Sequence, residues 1–457
     1  MKDFTIRQFA DACQGIWYGP EELLEHPIQG VVTDSRAVQK DFLFVAVVGE
    51  RVDGHRFIKN VYQDGALCAV SEQKLEAPVG PYLLVKDTLQ ALKDAAKAYR
   101  ETLSIPVVGI TGSVGKTSTK EMIASVLSQK YNVLKTPGNF NNEIGVPLSI
   151  FMIDKCHDIA VLEMGMNHFK EMHRLSKMVQ PTHCVFTNIG VAHLEHLGSR
   201  DGILKAKLEM LDYAAEDAKI FINGDDDKLS CIKERAFSFG LSDKNHIFAD
   251  QIQNLGLDGI RCHIHTPKQP IEVTIPLPGT HMVYNAMAGT SVGLSLGLTT
   301  KQIQQGIESL KPLSGRSNIM HTKHYTILDD CYNANPASMC AMLDVLNDTR
   351  ARKVAILGDM GELGEQSEQL HASIGEHLKK LSIDVVITIG TLSEAIHKAA
   401  LQNVPQSTCL HYKDKATFLT QYQEILQKRD AILIKASHYM EFEEIVKILS
   451  EDERLGQ

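Results

Sequence analysis

Short apolar runs alternate with stretches of helical periodicity along most of the chain. In the first hundred residues, apolar runs predict strands at 31–33, 43–48, 67–70 and 82–85. Apolar residues at helical spacing predict helices at about 55–62 and 89–103. Pro106 then opens a new apolar run, so we place a boundary near residue 104. Residues 1–104 are therefore predicted to form a small α/β domain.

The middle of the chain continues this alternation and then changes period. Strands are predicted at 107–110, 159–162, 185–186 and 220–223. Around 260–265 and 271–277, apolar and polar residues alternate with period two, which predicts a hairpin and hence an antiparallel annex. The helices that follow are predicted at about 282–296 and 302–310. Residues 311–315 have the composition of a linker, so the central domain is predicted over 105–313.

The last third of the chain returns to alternating strands and helices. Apolar runs predict strands at 325–328, 354–357, 385–389 and 432–434, with helical stretches between them. This order is typical of a parallel sheet of Rossmann type, which we expect over 314–457. A chain of 457 residues suits about three domains of roughly 150 residues each. The predicted fold class is therefore α/β in three domains.

The strongest chemical signal is a glycine-rich loop between the 107–110 strand and a helix. Thr111-Gly112-Ser113-Val114-Gly115-Lys116-Thr117 supplies two glycines for a tight curve, a lysine for terminal phosphates and a hydroxyl for Mg²⁺. The match to the standard phosphate-loop pattern is one residue off, because Ile110 stands where glycine is expected. A glycine turn without nucleotide is the alternative. Turn chemistry alone hardly explains Gly-Lys-Thr opening a helix after a strand, so the loop predicts nucleotide binding.

Polar residues follow several predicted strands, at the edge where open α/β sheets bind ligands. Glu163 ends the 159–162 strand, where a carboxylate can bind Mg²⁺; a solvated strand-end acid is the alternative. His193 lies just beyond another strand and is either a second metal ligand or a hydrogen-bonded structural histidine. In the last third, Asn335 can cap a helix that Pro336 begins.

Composition disfavours several classes of function. The 47 basic and 56 acidic side chains give a net charge of −9, without a basic stripe, so no nucleic-acid partner is expected. The longest uncharged apolar run, 42–48, is far shorter than the roughly 20 residues of a membrane span, and the first residues lack a signal-peptide pattern. Nine dispersed cysteines without a Cys-x-x-Cys pair suit a reducing compartment. We therefore expect a soluble, cytoplasmic protein.

The motifs together resemble the ATP-dependent Mur ligases of peptidoglycan synthesis over nearly the whole chain. Motifs typical of the whole family are the 111–117 loop, Glu163, His193, Gly279-x-His281-x-x-x-Asn285, Arg316 and Asp330. Those typical of the members that add D-alanyl-D-alanine to UDP-N-acetylmuramoyl-tripeptide are Asp34-Ser35-Arg36, Asp53-Gly54-His55-x-Phe57, Gly138-Asn139-x-Asn141-Asn142-x-x-Gly145, Asp330-x-Tyr332-Asn333-Ala334-Asn335-Pro336-x-Ser338-Met339 and Leu357-Gly358-Asp359-Met360-x-Glu362-Leu363-Gly364. So many matches in the same order make chance similarity negligible.

The resemblance implies a ligase with an N-terminal UDP-sugar domain, a central ATPase and a closing Rossmann-like domain. ATP would phosphorylate the free carboxylate of the tripeptide, and the amine of D-alanyl-D-alanine would attack the acyl phosphate, releasing ADP and phosphate. Two Mg²⁺ ions are implied, with Thr117 and Glu163 as ligands of one and His193 near the other. Lys207 aligns with a lysine that CO₂ carbamylates into an anionic metal ligand; a helix-face lysine is the alternative. The expected catalytic residues are Lys116, Glu163, His193 and Lys207.

The same resemblance implies the binding residues and partners. The expected nucleotide contacts are Gly112, Ser113, Val114, Gly115, Lys116, Thr117, Ser118, Asn285, Arg316, Asp330 and Tyr332. The expected substrate contacts are Asp34, Ser35, Arg36, His55, Asn139, Asn141, Asn142, Asn333, Asn335 and Lys435. The expected partners are the two small-molecule substrates, bound by a monomer that has no nucleic-acid partner and no membrane span.

The chain departs from the family pattern at three places. Val114 replaces the usual asparagine, Ser118 a threonine, and Ala436-Ser437-His438 a Gly-Ser-Arg run. The loop should tolerate Val114, because it binds phosphate through backbone N–H groups and a lysine; a histidine replaces the arginine cation only when protonated. Two alternatives stay open: another amide ligase, such as the one that adds the third amino acid or a folylpolyglutamate synthase, and a catalytically silent nucleotide-binding module. Whether the tripeptide carries lysine or diaminopimelate is also open.

Overall fold

Three β-sheets with flanking helices make up the part of the chain that the structure, a computed structural model, describes: residues 1, 3–49 and 52–452. The strands are β1 Ile16–Tyr18, β2 Gly30–Val32, β3 Phe42–Val45, β4 Cys68–Ser71, β5 Tyr82–Leu84, β6 Val107–Thr111, β7 Val133–Lys135, β8 Ile159–Glu163, β9 His183–Phe186, β10 Lys219–Asn223, β11 Phe237–Gly240, β12 Ile247–Asn254, β13 Ile260–His265, β14 Ile271–Ile275, β15 Asn318–His321, β16 Thr326–Asp329, β17 Lys353–Gly358, β18 Val385–Ile389, β19 Thr408–Tyr412 and β20 Ala431–Lys435. The α-helices are α1 Ile6–Cys13, α2 Ile58–Gln63, α3 Thr88–Glu101, α4 Lys116–Leu127, α5 Gly145–Phe151, α6 Glu171–Val179, α7 Leu194–Leu197, α8 Arg200–Leu208, α9 His281–Ser295, α10 Thr300–Glu308, α11 Pro336–Asn347, α12 Ser367–His377, α13 Glu394–Asn403, α14 Lys415–Ile425 and α15 Glu443–Ser450.

The first sheet has five strands in the order β1-β5-β4-β3-β2. Strands β2 to β5 pair in parallel, and β1 pairs antiparallel with β5 at one edge. Apolar side chains from the strands and from α2, among them Phe44, Val61 and Tyr82, form a core on this sheet. Parallel strands need crossover connections, which helices such as α2 provide. The predicted small α/β domain is confirmed.

The second sheet has nine strands in the order β14-β13-β12-β11-β10-β9-β6-β8-β7. Strand β8 pairs in parallel with both β6 and β7, and β11 pairs in parallel with β10 and β12. Strands β12, β13 and β14 are antiparallel, so the predicted annex is confirmed. The annex has one more strand than the predicted hairpin, because β12 shows no apolar alternation in its exposed second half.

The third sheet has six strands in the order β15-β16-β20-β17-β18-β19. All neighbours are parallel except β15, which pairs antiparallel with β16 at the edge. Successive residues of β17, Val354 and Ala355, belong to different apolar clusters, because side chains alternate between the two faces of a strand. The predicted Rossmann-like sheet is confirmed. The antiparallel strand β15 at its edge is not predicted from the sequence.

The described residues pack into two compact units. One comprises Met1–Thr111, Lys130–Val185 and Ala206–Ile220, and the other comprises Gly112–Gln129, Phe186–Lys205 and the residues from Phe221 onward. No helix in the described part of the chain is both long enough and apolar enough to cross a membrane.

Candidate active site

The phosphate loop lies between β6 and α4, as the sequence predicts. β6 ends at Thr111, and the twelve-residue α4 begins at Lys116 with Gly115 as its N-cap residue. Gly115 has a φ of +81°, a conformation that a residue with a side chain reaches at a cost of about 1–2 kcal/mol. The Lys116 ammonium donates a 2.8 Å hydrogen bond to the carbonyl oxygen of Gly112, and Thr117 is buried. The loop therefore curls around its lysine at a helix N-terminus, where anions are favoured.

The segment after β9 holds this loop in place. The Asn188 side chain accepts a 3.0 Å hydrogen bond from the N–H of Val114 and donates another of 3.0 Å to its carbonyl oxygen. The Thr187 hydroxyl donates a 2.7 Å hydrogen bond to the same carbonyl. A Cβ on Gly112 would lie 1.8 Å from the Thr187 hydroxyl oxygen, so only glycine fits there. Sequence reasoning missed Asn188, although its position directly beyond a strand end was a usable signal.

Asn285, a predicted nucleotide contact, lies close to the phosphate loop. Its side-chain oxygen accepts a 2.8 Å hydrogen bond from the Thr119 hydroxyl on α4 and lies 3.8 Å from where a Cβ on Gly115 would stand. Asn285 is buried, whereas Ser118 on the first turn of α4 is half-buried. The packing of α9 against α4 thus brings a polar side chain from a distant part of the sequence to the loop.

Glu163 ends β8, one strand away from β6. It pairs in register with Ile110 of β6, which confirms the predicted position beside the phosphate-loop strand. Glu163 is 1% exposed, and its carboxylate accepts a 2.8 Å hydrogen bond from the Asn141 side chain, while its N–H donates one of 2.9 Å to the Thr136 hydroxyl. Burial and these bonds disfavour the alternative of a solvated strand-end acid. The two other predicted asparagines are exposed, and the Asn142 side chain accepts a 2.8 Å hydrogen bond from the N–H of Gly145, the first residue of α5.

Lys207 is buried on α8, with 1% of its surface exposed. This burial disfavours the alternative of a solvated lysine on a helix face. Glu209 lies two residues further along the chain. The Glu209 carboxylate accepts hydrogen bonds from the N–H groups of Lys170 at 2.9 Å and His173 at 3.3 Å. Among the described residues, no group of three or more His, Cys, Asp or Glu side chains is placed to hold a metal ion.

His193 is the N-cap residue of α7 and has a left-handed backbone conformation with a φ of +63°. Its Nδ1 atom lies 2.5 Å from Oε2 of Glu362, a residue of the loop after β17. Sequence reasoning assigned no role to Glu362. The two residues are 169 positions apart, and no local pattern signals that they meet.

The predicted residues of the last third gather at the ends of β16 and β20. The buried Lys435 ammonium forms an ion pair with Asp330 and donates a 2.9 Å hydrogen bond to the carbonyl oxygen of Asn333. Asp330 also accepts a 2.7 Å bond from the N–H of Ser317. Asn335 caps α11 by accepting from the N–H of Ser338 at 3.0 Å, so the predicted capping, with Pro336 at the helix start, is confirmed.

Aromatic and cationic groups lie beside this ion pair. The Arg316 guanidinium lies 4.0 Å from the ring centre of Tyr332, a cation–π contact. The His438 ring stacks on Tyr332 at 5.2 Å. His438 also pairs with Glu443, its Nδ1 lying 3.3 Å from the carboxylate.

The candidate residues of the N-terminal domain form two local pairs. Asp34 accepts hydrogen bonds from the Arg36 side chain and from its N–H, and these bonds lower the pKa of Asp34. Ser35 begins the single helical turn that Asp34 caps. The half-buried His55 accepts a 3.0 Å hydrogen bond at Nε2 from the N–H of Glu72, so Nδ1 donates the 2.6 Å hydrogen bond to the Asp53 carboxylate. Both nitrogens of His55 are thus engaged within this domain.

Comparison with known proteins assigns the family. Three family models match the chain: the Mur ligase family catalytic domain over residues 27–100, the Mur ligase middle domain over 110–293, and the Mur ligase glutamate ligase domain over 315–438. A UDP-N-acetylmuramoyl-tripeptide–D-alanyl-D-alanine ligase of Bacillus subtilis is 36% identical over 98% of this chain and 98% of its own. The chain belongs to the Mur ligase family.

Solved structures agree with this assignment of the chain as a Mur ligase. MurF from Acinetobacter baumannii has a TM-score of 0.89 and 33% identity, covering 98% of this chain and 99% of the other. MurF ligase from Thermotoga maritima, solved in complex with ADP, has a TM-score of 0.81 and 30% identity, covering 92% and 97%. The α/β fold with N-terminal, middle and C-terminal Mur ligase domains is therefore confirmed for this Mur ligase.

Proposed function

We propose that this Mur ligase joins D-alanyl-D-alanine to the free carboxylate of UDP-N-acetylmuramoyl-tripeptide, with hydrolysis of ATP to ADP and phosphate, in peptidoglycan precursor synthesis. The observation that carries the proposal is the likeness, over 98% of the chain, to a Bacillus subtilis ligase named for that reaction. The intact phosphate loop supports ATP as the energy source.

The reaction runs through an acyl phosphate. The tripeptide carboxylate attacks the γ-phosphorus of ATP, and ADP leaves with the electron pair of the broken P–O bond. The amine of D-alanyl-D-alanine then attacks the acyl carbon, loses a proton and expels phosphate as the amide bond forms. Lys116 and the backbone N–H groups around Gly115 stabilise the charge on the transferred group, because they are fixed before the reaction begins. Gly112, Ser113, Val114, Thr117 and Ser118 complete the proposed phosphate contacts.

The donor chemistry fits Mg²⁺, which prefers oxygen ligands and keeps several from phosphate and water. From the family resemblance we assign the Thr117 hydroxyl and the Glu163 carboxylate to one ion, His193 to the surroundings of the other, and Lys207 as a further metal ligand; Thr117, Glu163 and Lys207 are buried. When bound, Mg²⁺ neutralises charge on the phosphate oxygens. Asn141 keeps the Glu163 carboxylate in one orientation through its 2.8 Å hydrogen bond.

Lys207 is proposed to act as a carbamate. An ammonium would repel a metal ion, whereas the CO₂ adduct is an anion that offers oxygen ligands. The proposed role of Lys207 as a metal ligand therefore depends on carbamylation of its side chain.

The other binding roles are proposed from the family resemblance and the local structure. Nucleotide contacts are assigned to Asn285, Arg316, Asp330 and Tyr332, and substrate contacts to Asp34, Ser35, Arg36, His55, Asn139, Asn141, Asn142, Asn333, Asn335 and Lys435. We place the domain boundaries at 1–104, 105–313 and 314–457 and propose a cytoplasmic monomer.

An omission series tests the reaction. Phosphate release is measured with ATP and Mg²⁺ in the presence of UDP-N-acetylmuramoyl-tripeptide, D-alanyl-D-alanine, both or neither. Turnover should require both, since an amine must trap the acyl phosphate. Equal turnover without the dipeptide would exclude this ligase activity, and no turnover with any acceptor would favour a silent nucleotide-binding module. Turnover with a single amino acid as acceptor would favour another amide ligase.

A further inference from the structure

Glu362 contacts a proposed catalytic residue but has no role in the reaction as described above. Its carboxylate Oε2 lies 2.5 Å from Nδ1 of His193. Both residues have left-handed backbones, with φ of +62° and +63°. Each costs about 1–2 kcal/mol relative to an ordinary conformation. Strained residues concentrate at functional sites, so a pair of them in contact is a reason to look for a role.

The loop that carries Glu362 is anchored to the C-terminal domain. The N–H of Met360 donates a 2.9 Å hydrogen bond to Nε2 of His371, and the N–H of Gly361 donates one of 2.8 Å to the Ser437 hydroxyl. The Met360 side chain is fully buried in the core of the six-stranded sheet. Glu362 therefore extends from a fixed base toward the central domain.

The loop and the turn at His193 approach each other closely. Gly364 has a φ of +60°, and a Cβ there would lie 3.1 Å from Cα and 3.3 Å from Cβ of Glu195. A side chain at position 364 would therefore strain the backbone and press against Glu195. Glycine at this position permits the contact between Glu362 and His193.

We propose that Glu362 is a positioning residue that fixes the ring and the tautomer of His193; the inference rests on the proposed function. The carboxylate accepts a hydrogen bond from Nδ1–H, so Nε2 carries the lone pair that a metal ion or its bound water requires. Histidines that serve metals commonly donate their other N–H to a carboxylate in this way.

The competing interpretation is an ion pair without a role in the reaction. The Glu362 side chain is 47% exposed, and exposed ion pairs contribute about 0–1 kcal/mol to stability. Loss of a carboxylate that orients a metal-binding histidine instead costs about 10–100-fold in metal affinity or activity. A positioning role therefore predicts lower metal affinity and activity when Glu362 is replaced, whereas an ion pair without a role predicts at most a small loss of stability.

Three variants of the full chain separate them: Glu362→Ala, Glu362→Gln and the control Glu365→Ala, an exposed acid on the same loop. Mn²⁺ binding in the presence of ADP is measured by titration calorimetry, and kcat by dipeptide-dependent phosphate release. Glu362→Ala should lower Mn²⁺ affinity and kcat by about tenfold or more, with the unfolding midpoint within about 4 °C of the parent. Glu362→Gln should give intermediate values of Mn²⁺ affinity and kcat, because its amide oxygen still accepts a hydrogen bond from Nδ1–H. Glu365→Ala should match the parent.

A His193→Ala background completes the test. There, adding Glu362→Ala should change Mn²⁺ affinity and kcat by less than about twofold, because the ring to be positioned is gone. Unchanged Mn²⁺ affinity and kcat in Glu362→Ala, or an equal loss with and without His193, would overturn the inference. Failure of the proposed function would instead appear as a parent enzyme that lacks dipeptide-dependent turnover. The Mn²⁺ titration does not depend on that turnover.

Discussion

At the scale of single residues, the charges of Lys116 and Glu163 should control the rate of phosphoryl transfer. Lys116→Ala and Glu163→Ala should each lower kcat by about 10²-fold or more, because each removes charge stabilisation in the transition state. Glu163→Gln should lose nearly as much, since its amide oxygen still accepts from Asn141 but its charge is gone. Steady-state phosphate release measures this, with the exposed Lys301→Ala as control. A loss below about tenfold would refute the role given to that residue.

Lys207 allows a second test at this scale. Lys207→Ala should be nearly inactive, and short carboxylic acids such as formate or acetate should restore part of the rate, because a small anion can occupy the vacated space as a metal ligand. The rescue is measured as kcat against acid concentration, with the parent enzyme under the same additions as control. Full activity in the alanine variant without added acid would show that the lysine is dispensable.

At the scale of elements, the left-handed N-cap of α4 should matter for binding more than for stability. Gly115→Ala and Gly256→Ala are a matched pair, since both glycines have positive φ and neither Cβ would meet an atom closer than 3.8 Å. Each should cost about 1–2 kcal/mol of unfolding free energy. Only Gly115→Ala should also weaken ADP binding, by about tenfold or more, because the loop N–H groups lose their alignment. Equal ADP affinity in both variants would contradict a phosphate-binding loop.

Local chemistry explains which elements the sequence predicts well. The loop at Gly115 and the cap at Asn335 depend on neighbouring residues, and both are confirmed. Strand β12 escapes prediction because its last five residues are exposed and do not alternate. The edge strand β15 is also missed, because its residues are only partly buried or exposed and show no alternation of buried and exposed positions. The pairing of His193 with Glu362 depends on the fold, which no local pattern encodes.

At the scale of the whole molecule, one buried histidine should make stability depend on pH. Burial lowers the pKa of His183 to about 4, against an ordinary value near 6.5. The unfolded chain therefore binds more protons between these values, and stability is lost as the pH falls through this range. Lowering the pH from 7 to 5 should reduce the unfolding free energy of the parent by about 2 kcal/mol more than that of the His183→Leu variant. Urea unfolding at the two pH values measures this, and equal losses would contradict the assignment.

The central claim concerns the bond that the whole enzyme forms, so the most direct measurement is the product itself. The full chain is incubated with ATP, Mg²⁺, UDP-N-acetylmuramoyl-tripeptide and D-alanyl-D-alanine, and product mass is followed together with ADP and phosphate. The account predicts UDP-N-acetylmuramoyl-pentapeptide, formed in equal amounts with ADP and phosphate. ADP and phosphate released without the pentapeptide, or a product that carries a different amino acid, would contradict it.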